Sequence, residues 1–193
     1  MAVIAGILLA GGTGSRFGSD KLLHSLPHGV PIAVQAARHL RAVLPVVIAA
    51  VRPSSTELVA LLEAEAVRTV VCERADEGMG ATLACAVRAT GPVDGFVVAL
   101  ADMPFVRPSS IAAVVQALNA GAALAAPYWR ARRGHPVGIG ARFRAELEAL
   151  AGDQGARELL AAHTAELVKV PVGDPGVIRD IDRPEDLQPP IVV

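Results

Sequence analysis

The chain alternates between short, continuous runs of apolar residues and longer stretches in which apolar residues recur every three or four positions. The continuous runs are VIAGILLA, VVIAAV, VRTVVC, GFVVALA and AALAAP, which begin at Val3, Val46, Val67, Gly95 and Ala122. Continuous rather than alternating runs are typical of strands that are buried on both faces of a parallel sheet. Because the stretches between them have helical periodicity, the pattern predicts a three-layer α/β/α fold whose sheet is mostly parallel.

Proline and glycine residues mark the ends of the predicted helices. Pro31 and Pro108 stand at the first turn of two helices, where the missing N–H of proline leaves no hydrogen bond unmade. After Gly140 the pattern changes, because two helical stretches, 143–150 and 156–163, are followed by the apolar run ELVKVPV. This order predicts a later addition to the sheet that includes an antiparallel strand.

Length and charge limit the number of domains and the classes of partner to expect. At 193 residues the chain is long enough for one well-buried domain and short for two. We therefore expect residues 1–193 to form a single domain, with 187–193 as a loose C-terminal tail. The formal net charge is −1 and acidic and basic residues are interspersed, so the chain lacks the long-range field that attracts nucleic acid.

The N-terminal apolar run and the cysteines favour a cytoplasmic protein. Gly6 and Gly11 interrupt the run and no positive region precedes it, so it has the features of neither a signal peptide nor a membrane span. Cys72 and Cys85 lack the spacing of a metal or disulfide motif, which favours small core residues in a reducing compartment. No membrane partner is expected.

A glycine-rich segment, LLAGGTGSRFGSDKLL from Leu8, follows the first apolar run. Glycines after a strand and before a helix let backbone N–H groups approach an anion closely. The segment lacks the Gly-Lys-Ser/Thr of a Walker loop, and Phe17 stands where a dinucleotide fingerprint requires Gly or Ala. What remains is a longer loop, 9–21, in which Arg16 and Lys21 are placed to neutralise a triphosphate. The alternative is a flexible turn with two solvated cations.

An aspartate ends the fourth apolar run, in the segment VVALADMP. Asp102 lies at the predicted carboxyl edge of the sheet, where open parallel sheets bind ligands. A carboxylate beside a phosphate loop would repel the nucleotide unless a divalent cation lay between them, and Mg²⁺ suits a few carboxylate and phosphate oxygens. The alternative is that Asp102 caps a turn ahead of Pro104.

Two further acids, Asp180 and Asp182, occur in the segment IRDIDRPEDL near the end of the chain. Their alternation places them on the same side of a strand. Pro184 then opens a short helix with Glu185 and Asp186 in its first turn, so Asp182 is also a candidate N-cap. Taken alone, this segment favours the capping interpretation.

Five blocks of the sequence resemble, in their order and spacing, the MobA-like nucleotidyltransferases, and especially the molybdenum cofactor cytidylyltransferases. The blocks are LLAGGTGSRFGSDKLL, ERADEGMGATLACAV, ALADMPFV, RRGHPVGIG and DIDRPEDL, and they span nearly the whole chain. The resemblance implies a Rossmann-like nucleotidyltransferase domain with Mg²⁺ as cofactor. It would move an NMP from a nucleoside triphosphate to the terminal phosphate of a molybdopterin-type cofactor and release pyrophosphate. A molybdoenzyme or its chaperone is a further implied partner.

The resemblance also implies roles for particular residues. The expected catalytic residues are Arg16, Lys21 and Asp102, and the expected metal ligands are Asp102 and Asp182, with Asp180 as a neighbour. The expected nucleotide-binding residues are Leu9, Ala10, Gly11, Gly12, Thr13, Gly14, Ser15, Arg16, Lys21, Glu77, Gly78, Met79, Gly80 and Thr82. The expected acceptor-binding residues are Arg133, Gly134, His135 and Pro136, and ordering a turn is the alternative role of His135.

The motifs leave the nucleobase open. LAGG in the first block and Asp20 before Lys21 are associated with the guanylyltransferase branch of the family, whereas GMGATLACAV and GHPVG resemble the cytidylyltransferase branch. We expect CTP to be favoured over GTP.

Three rival functions are compatible with the same residues. A related enzyme would transfer the nucleotide to a sugar phosphate or a polyol phosphate. A binding protein would deliver the finished cofactor to a molybdoenzyme without catalysis. An unrelated phosphate-binding α/β protein would use Asp182 only as a cap.

Overall fold

The secondary structure is that of an α/β protein, in a computed structural model that describes residues 2–12, 20–153 and 155–188. The strands are β1 (Ile4–Ala10), β2 (Val46–Val51), β3 (Arg68–Val71), β4 (Gly95–Leu100), β5 (Leu124–Trp129), β6 (Arg132–Arg133), β7 (Val137–Gly140) and β8 (Leu167–Pro171). The helices are α1 (Ile32–Arg41), α2 (Thr56–Ala64), α3 (Met79–Ala89), α4 (Pro108–Asn119), α5 (Arg144–Glu148) and α6 (Arg157–Ala162). Short 3₁₀ turns cover Lys21–Leu23, Ala75–Glu77, Ala141–Phe143, Thr164–Glu166, Pro175–Ile178 and Pro184–Leu187.

The strands form one mixed sheet in the order β3-β2-β1-β4-β7-β5-β6, and β8 pairs with β5 outside this path. β1 is parallel to both of its neighbours, β2 and β4, and β3 is parallel to β2. All seven residues of β1 are buried, as expected for a central strand that is covered on both faces. The mostly parallel sheet predicted from the apolar runs is confirmed.

Antiparallel pairing is present, through β6 and β7, but it lies earlier in the chain than the sequence predicts. The prediction places it after Gly140, whereas β7 ends there and lies antiparallel between β4 and β5. β8, which does follow Gly140, is parallel to β5. The sequence of β7 is Val-Gly-Ile-Gly, and two glycines in four residues weaken the strand pattern. A Cβ on Gly138 would lie 2.8 Å from Val114 Cγ1 of α4, so the close packing of that helix requires glycine.

Helices cover both faces of the sheet, which confirms the three-layer prediction. On one face α1, α2 and α4 pack in a cluster that includes Leu62 and β1 residue Leu8. On the other face α3, α5 and α6 pack with Leu83 and β1 residue Ile7. Each such fully buried aliphatic side chain contributes about 1.5–3 kcal/mol to folding. Within the described ranges, no helix combines the length and hydropathy that crossing a membrane requires.

Candidate active site

The carboxyl ends of β1 and β4 border a cavity of about 340 Å³. Leu9, Gly11 and Gly12 line it from the end of β1, and Leu100 and Asp102 from the end of β4. The other lining residues are Lys21, Leu22, Ala75, Asp76, Gly78, Met79, Thr82 and Asp153. This first cavity therefore lies where ligands bind in open parallel sheets.

Gly11 and Gly12 have different surroundings in this loop. A Cβ on Gly11 would lie 2.9 Å from Thr82 Oγ1, so glycine lets the chain pass close to the start of α3. A Cβ on Gly12 would meet no described atom within 4 Å. Ala10, by contrast, is buried in the core and does not line the cavity. The remaining predicted loop residues lie outside the described residues: Thr13, Gly14, Ser15 and Arg16.

Two glycines at the start of α3 pack against a distant loop, 151–153. Gly78 has a φ of 123°, and a Cβ there would lie 2.6 Å from Asp153 Cα. The Gly80 N–H donates to Gly152 O at 2.8 Å, and a Cβ on Gly80 would also lie 2.6 Å from this loop. The resemblance predicts that these glycines permit close approach to the nucleobase and ribose. In the structure both glycines pack closely against the 151–153 loop, and Gly78 also lines the first cavity.

Glu77, which the resemblance places at the nucleotide, is ion-paired with Arg74 and does not line the cavity. Arg74 Nη2 is 2.6 Å from Glu77 Oε2, and Arg74 Nε is 2.7 Å from Glu77 Oε1. This two-bond contact holds the pKa of Glu77 below its ordinary value. The cavity wall in this segment is formed by its neighbours Gly78, Met79 and Thr82.

Three carboxylates converge at the edge of the first cavity. Asp102, Asp180 and Asp182 each place one carboxylate oxygen within 4.8 Å of the others. The Ile181 N–H donates to Asp102 O at 2.9 Å, which ties the segment with the last two acids to the end of β4. Clustered carboxylate oxygens are the ligands that Mg²⁺ and Mn²⁺ prefer, so this donor set fits a divalent cation. We refer to these three residues as the acidic edge.

The surroundings of Asp182 disagree with the capping interpretation. Arg183 occupies the N-cap position of the Pro184–Leu187 turn, and Asp186 Oδ2 accepts from the backbone N–H groups of Asp182 and Arg183 at 3.2 and 3.0 Å. Among the described residues, this segment is not the strand that the alternation predicts. The two acids still reach one side, because Ile181 between them is fully buried.

Lys21 contacts two of the three carboxylates. Its Nζ is 2.9 Å from Asp102 Oδ2 and 3.4 Å from Asp182 Oδ1. Asp20 Oδ1 accepts from the Leu22 N–H at 3.2 Å and so caps the turn that carries Lys21. Burial lowers the pKa of Lys21, but Asp102 and Asp182 together raise it by more, and the pKa lies above its ordinary value. The lysine is therefore charged at neutral pH.

A second cavity, of about 440 Å³, adjoins the first. The two cavities share Leu9, Met79, Leu100 and Asp153. The other residues of the second cavity are Val98, Arg133, His135, Val137, Ala156, Arg157 and Leu160. Most of its wall is apolar, with two arginines as the cationic groups. Two ligands bound in these cavities would meet across the shared residues.

The predicted acceptor segment is fixed by contact with Val177. A Cβ on Gly134 would lie 2.2 Å from Val177 O, and the His135 N–H donates to the same oxygen at 2.7 Å. Of the four predicted acceptor residues, Arg133 and His135 line the second cavity, whereas Gly134 and Pro136 are buried and do not line it. The two buried residues therefore position the other two.

The surroundings of the His135 ring keep it neutral. Burial, and then the charge of Arg133, lower its pKa to about 4. His135 Nδ1 is buried and has no hydrogen-bond partner in the described part of the chain. At neutral pH the positive charge of the second cavity therefore comes from Arg133 and Arg157 and not from His135.

A comparison with protein-family models decides the family. The model described as the MobA-like NTP transferase domain matches residues 6–167. The chain belongs to this family. The resemblance of the five sequence blocks to the MobA-like nucleotidyltransferases is thus confirmed at the level of the family. No curated protein matches the chain by sequence.

Solved structures share the fold at low sequence identity. Rv0371c from Mycobacterium tuberculosis H37Rv is 24% identical, with 96% of this chain and 95% of that chain covered and a TM-score of 0.83. Another structure of Rv0371c is a complex with manganese. Molybdopterin-guanine dinucleotide biosynthesis protein A from Archaeoglobus fulgidus is 21% identical, with 95% and 94% covered and a TM-score of 0.66. A 4-diphosphocytidyl-2C-methyl-D-erythritol synthase from Anaerococcus prevotii is 13% identical, with 96% and 93% covered and a TM-score of 0.76.

Asp153 and Arg157 are among the residues of this MobA-like site that the sequence does not predict. Asp153 lines both cavities, and Arg157 lines the second. Both lie next to a loop whose glycines, Gly152 and Gly155, have φ values of 63° and 53°. Glycine pairs of this kind indicate a tight loop, but nothing in the local sequence indicates that the loop packs against α3.

The low pKa of His135 predicts that the protein loses stability in mild acid. The unfolded chain binds a proton at this residue near pH 6.5, whereas the folded chain does so only near pH 4, so stability falls as the pH drops through this window. The contribution of His135 to the loss of stability between pH 7 and pH 5 should be about 2 kcal/mol. Urea unfolding of wild type and His135→Asn at both pH values measures it. An equal loss in the variant would contradict the prediction.

Proposed function

We propose that this MobA-like protein transfers an NMP, CMP in preference to GMP, from a nucleoside triphosphate to the terminal phosphate of a molybdopterin-type cofactor. The observation that carries the proposal is the pair of adjoining cavities beside the acidic edge. The first is lined by glycine backbone and a lysine, as a triphosphate requires, and the second by arginines and apolar side chains. The family membership supports the reaction class.

The nucleotide would lie in the first cavity. Leu9, Gly11 and Gly12 present backbone there, and Met79 and Thr82 form the opposite wall. Backbone amides at a strand end are suited to phosphate oxygens because glycine leaves no Cβ in their way. Lys21 would supply one of the two cations that offset the triphosphate charge, with Arg16 as the second by resemblance.

The acidic edge would hold Mg²⁺ through Asp102 and Asp182, with Asp180 beside them. Their oxygens lie within 4.8 Å of one another, close enough for ligands of one cation. The manganese complex of Rv0371c supports a divalent metal in this fold. When bound, the metal would neutralise charge on the phosphate oxygens during transfer.

The acceptor would lie in the second cavity, whose lining suits a ligand with a phosphate and an apolar face. Arg133 and Arg157 can meet a phosphate, and Val98, Val137 and Leu160 offer an apolar surface. The hydroxyl groups of a sugar or polyol would lose hydrogen bonds against such a wall, whereas the flat face of a heterocyclic ring can pack on it. This composition supports a molybdopterin-type acceptor over a polyol phosphate.

The reaction would be an in-line displacement that needs no general base. A phosphate oxygen of the acceptor attacks the α-phosphorus, a new P–O bond forms, and the bond to pyrophosphate breaks. A phosphate nucleophile is already anionic, so no proton has to be removed. The chain's own contribution is to hold the two substrates across the shared wall and to stabilise the phosphate charge through Lys21 and backbone N–H groups.

Pyrophosphate release with CTP, GTP, ATP and UTP, each with Mg²⁺, tests this function. The assay is run with and without molybdopterin-type cofactor. We expect release that requires the cofactor and is fastest with CTP. Release with a polyol phosphate in place of the cofactor would favour the related enzyme class. Nucleotide binding without release under any of these conditions would favour a delivery protein that hands the cofactor to a molybdoenzyme or its chaperone.

A further inference from the structure

The acidic edge already has a cation in the free protein, and that cation is a side chain. Lys21 Nζ lies 2.9 Å from Asp102 Oδ2 and 3.4 Å from Asp182 Oδ1. A metal ligated by these carboxylates needs oxygens at about 2.0–2.1 Å for Mg²⁺, in a cluster that spans at most 4.8 Å. The ammonium and the metal would therefore compete for the same oxygens.

The contact is held in place by the fold. The Lys21 side chain is only 11% exposed, so water screens its charge poorly. Its backbone belongs to the turn capped by Asp20, and Leu22 in that turn is buried in the core. Because the backbone is anchored, movement of Lys21 away from the carboxylates is confined to its flexible four-carbon stem.

The first cavity offers the ammonium another place to go. Lys21 lines that cavity together with Gly11 and Gly12, where the triphosphate is proposed to bind. A triphosphate carries more negative charge than the two carboxylates that Lys21 contacts, so it can draw the ammonium off the acidic edge.

We propose that Lys21 is the resting counter-ion of the acidic edge and that a divalent cation binds there only as Lys21 exchanges its carboxylate partners for the phosphates of the nucleotide. This inference rests on the proposed function for the metal and the triphosphate. It adds that Lys21 suppresses metal binding in the free protein. Metal and nucleotide consequently bind together rather than independently.

Metal binding without nucleotide tests the exchange and needs no turnover. Mn²⁺ is titrated into the full chain and free Mn²⁺ is followed by electron paramagnetic resonance. We expect Lys21→Met to bind Mn²⁺ about tenfold more tightly than wild type, because a charged hydrogen-bond partner no longer holds the carboxylates. Lys169→Met is the matched control, since Lys169 is the other lysine of the chain and lies exposed on β8. It should bind as wild type does.

The outcomes separate this inference from the proposed function. Equal Mn²⁺ affinity of wild type and Lys21→Met overturns the exchange and leaves the metal site standing. Lack of Mn²⁺ binding by every variant overturns both. Lys21→Arg, which keeps the cation, should restore the weak binding of wild type, and tight binding by that variant would also overturn the exchange.

A measurement on the wild-type protein does not depend on the variant's folding. With ¹³C-labelled lysine the chain gives two ε-carbon signals, and the Lys169→Met spectrum assigns them. Saturation with Mg²⁺ and inorganic triphosphate should move the Lys21 signal and leave that of Lys169 in place. A Lys21 signal that stays unmoved would overturn the exchange.

Discussion

Asp102→Asn should reduce the rate of nucleotidyl transfer by about a thousandfold, the upper part of the range for loss of one preorganised electrostatic group. Asp102 is the carboxylate closest to Lys21 and belongs to the three-carboxylate cluster. Asparagine keeps the size of the side chain and leaves the Asp102 backbone oxygen free to accept from Ile181. The fold should therefore survive, with a stability loss of about 1 kcal/mol or less, because the pair is only partly buried.

The Asp102 prediction is measured as kcat for pyrophosphate release, with circular dichroism to confirm folding. Glu185→Gln is the matched control, because Glu185 is an exposed acid three residues from Asp182 and lies outside the cluster. It should retain full activity. Full activity of Asp102→Asn would instead support the interpretation of this aspartate as a turn cap and would contradict its role as a metal ligand.

Gly134→Ala should damage both stability and acceptor binding. The new Cβ would lie 2.2 Å from Val177 O and 2.7 Å from Val177 C, and both are backbone atoms that no rotamer change can move. Overpacking of this kind costs about 3 kcal/mol. The displaced segment carries Arg133 and His135, so KM for the acceptor should rise about a hundredfold, the scale reported for small misplacements of a site.

Nucleotide affinity shows whether Gly134→Ala damages the acceptor segment alone or the whole site. The first cavity does not include residues 133–136, so binding of CTP to the folded fraction of Gly134→Ala should be unchanged. Gly173→Ala is the control, because a Cβ there would meet no described atom within 4 Å. Wild-type thermal stability of Gly134→Ala would show that the contact with Val177 does not constrain the acceptor segment.

The sequence predicts the parallel strands β1, β2 and β4 well, because their burial is visible in the apolar residues of each strand itself. The run VVIAAV coincides with β2, and the runs that begin at Val3 and Gly95 contain β1 and β4. A strand buried on both faces needs apolar residues at every position, and this pattern is visible without tertiary knowledge. β7 lacks it, because glycines at 138 and 140 are required by neighbouring elements rather than by the strand itself.

The sequence predicts the site residues that directly follow a strand. It does not predict those that reach the site only through packing between distant segments. Asp102 follows β4 directly, and Asp180 and Asp182 were expected on one side, where the structure places them. Asp153 and Arg157 reach the cavities only because the loop 151–153 packs against the start of α3. That contact joins segments about 70 residues apart, and single-sequence patterns describe only near neighbours.

The most direct test of the account is a crystal structure with Mn²⁺ and a CTP analogue that cannot release pyrophosphate, with the metal located by its anomalous scattering. We expect an anomalous peak at bonding distance from Asp102 and Asp182, phosphates against Gly11 and Gly12, and Lys21 moved from the carboxylates to the phosphates. A nucleotide bound outside the first cavity, or a metal bound away from the acidic edge, would contradict it.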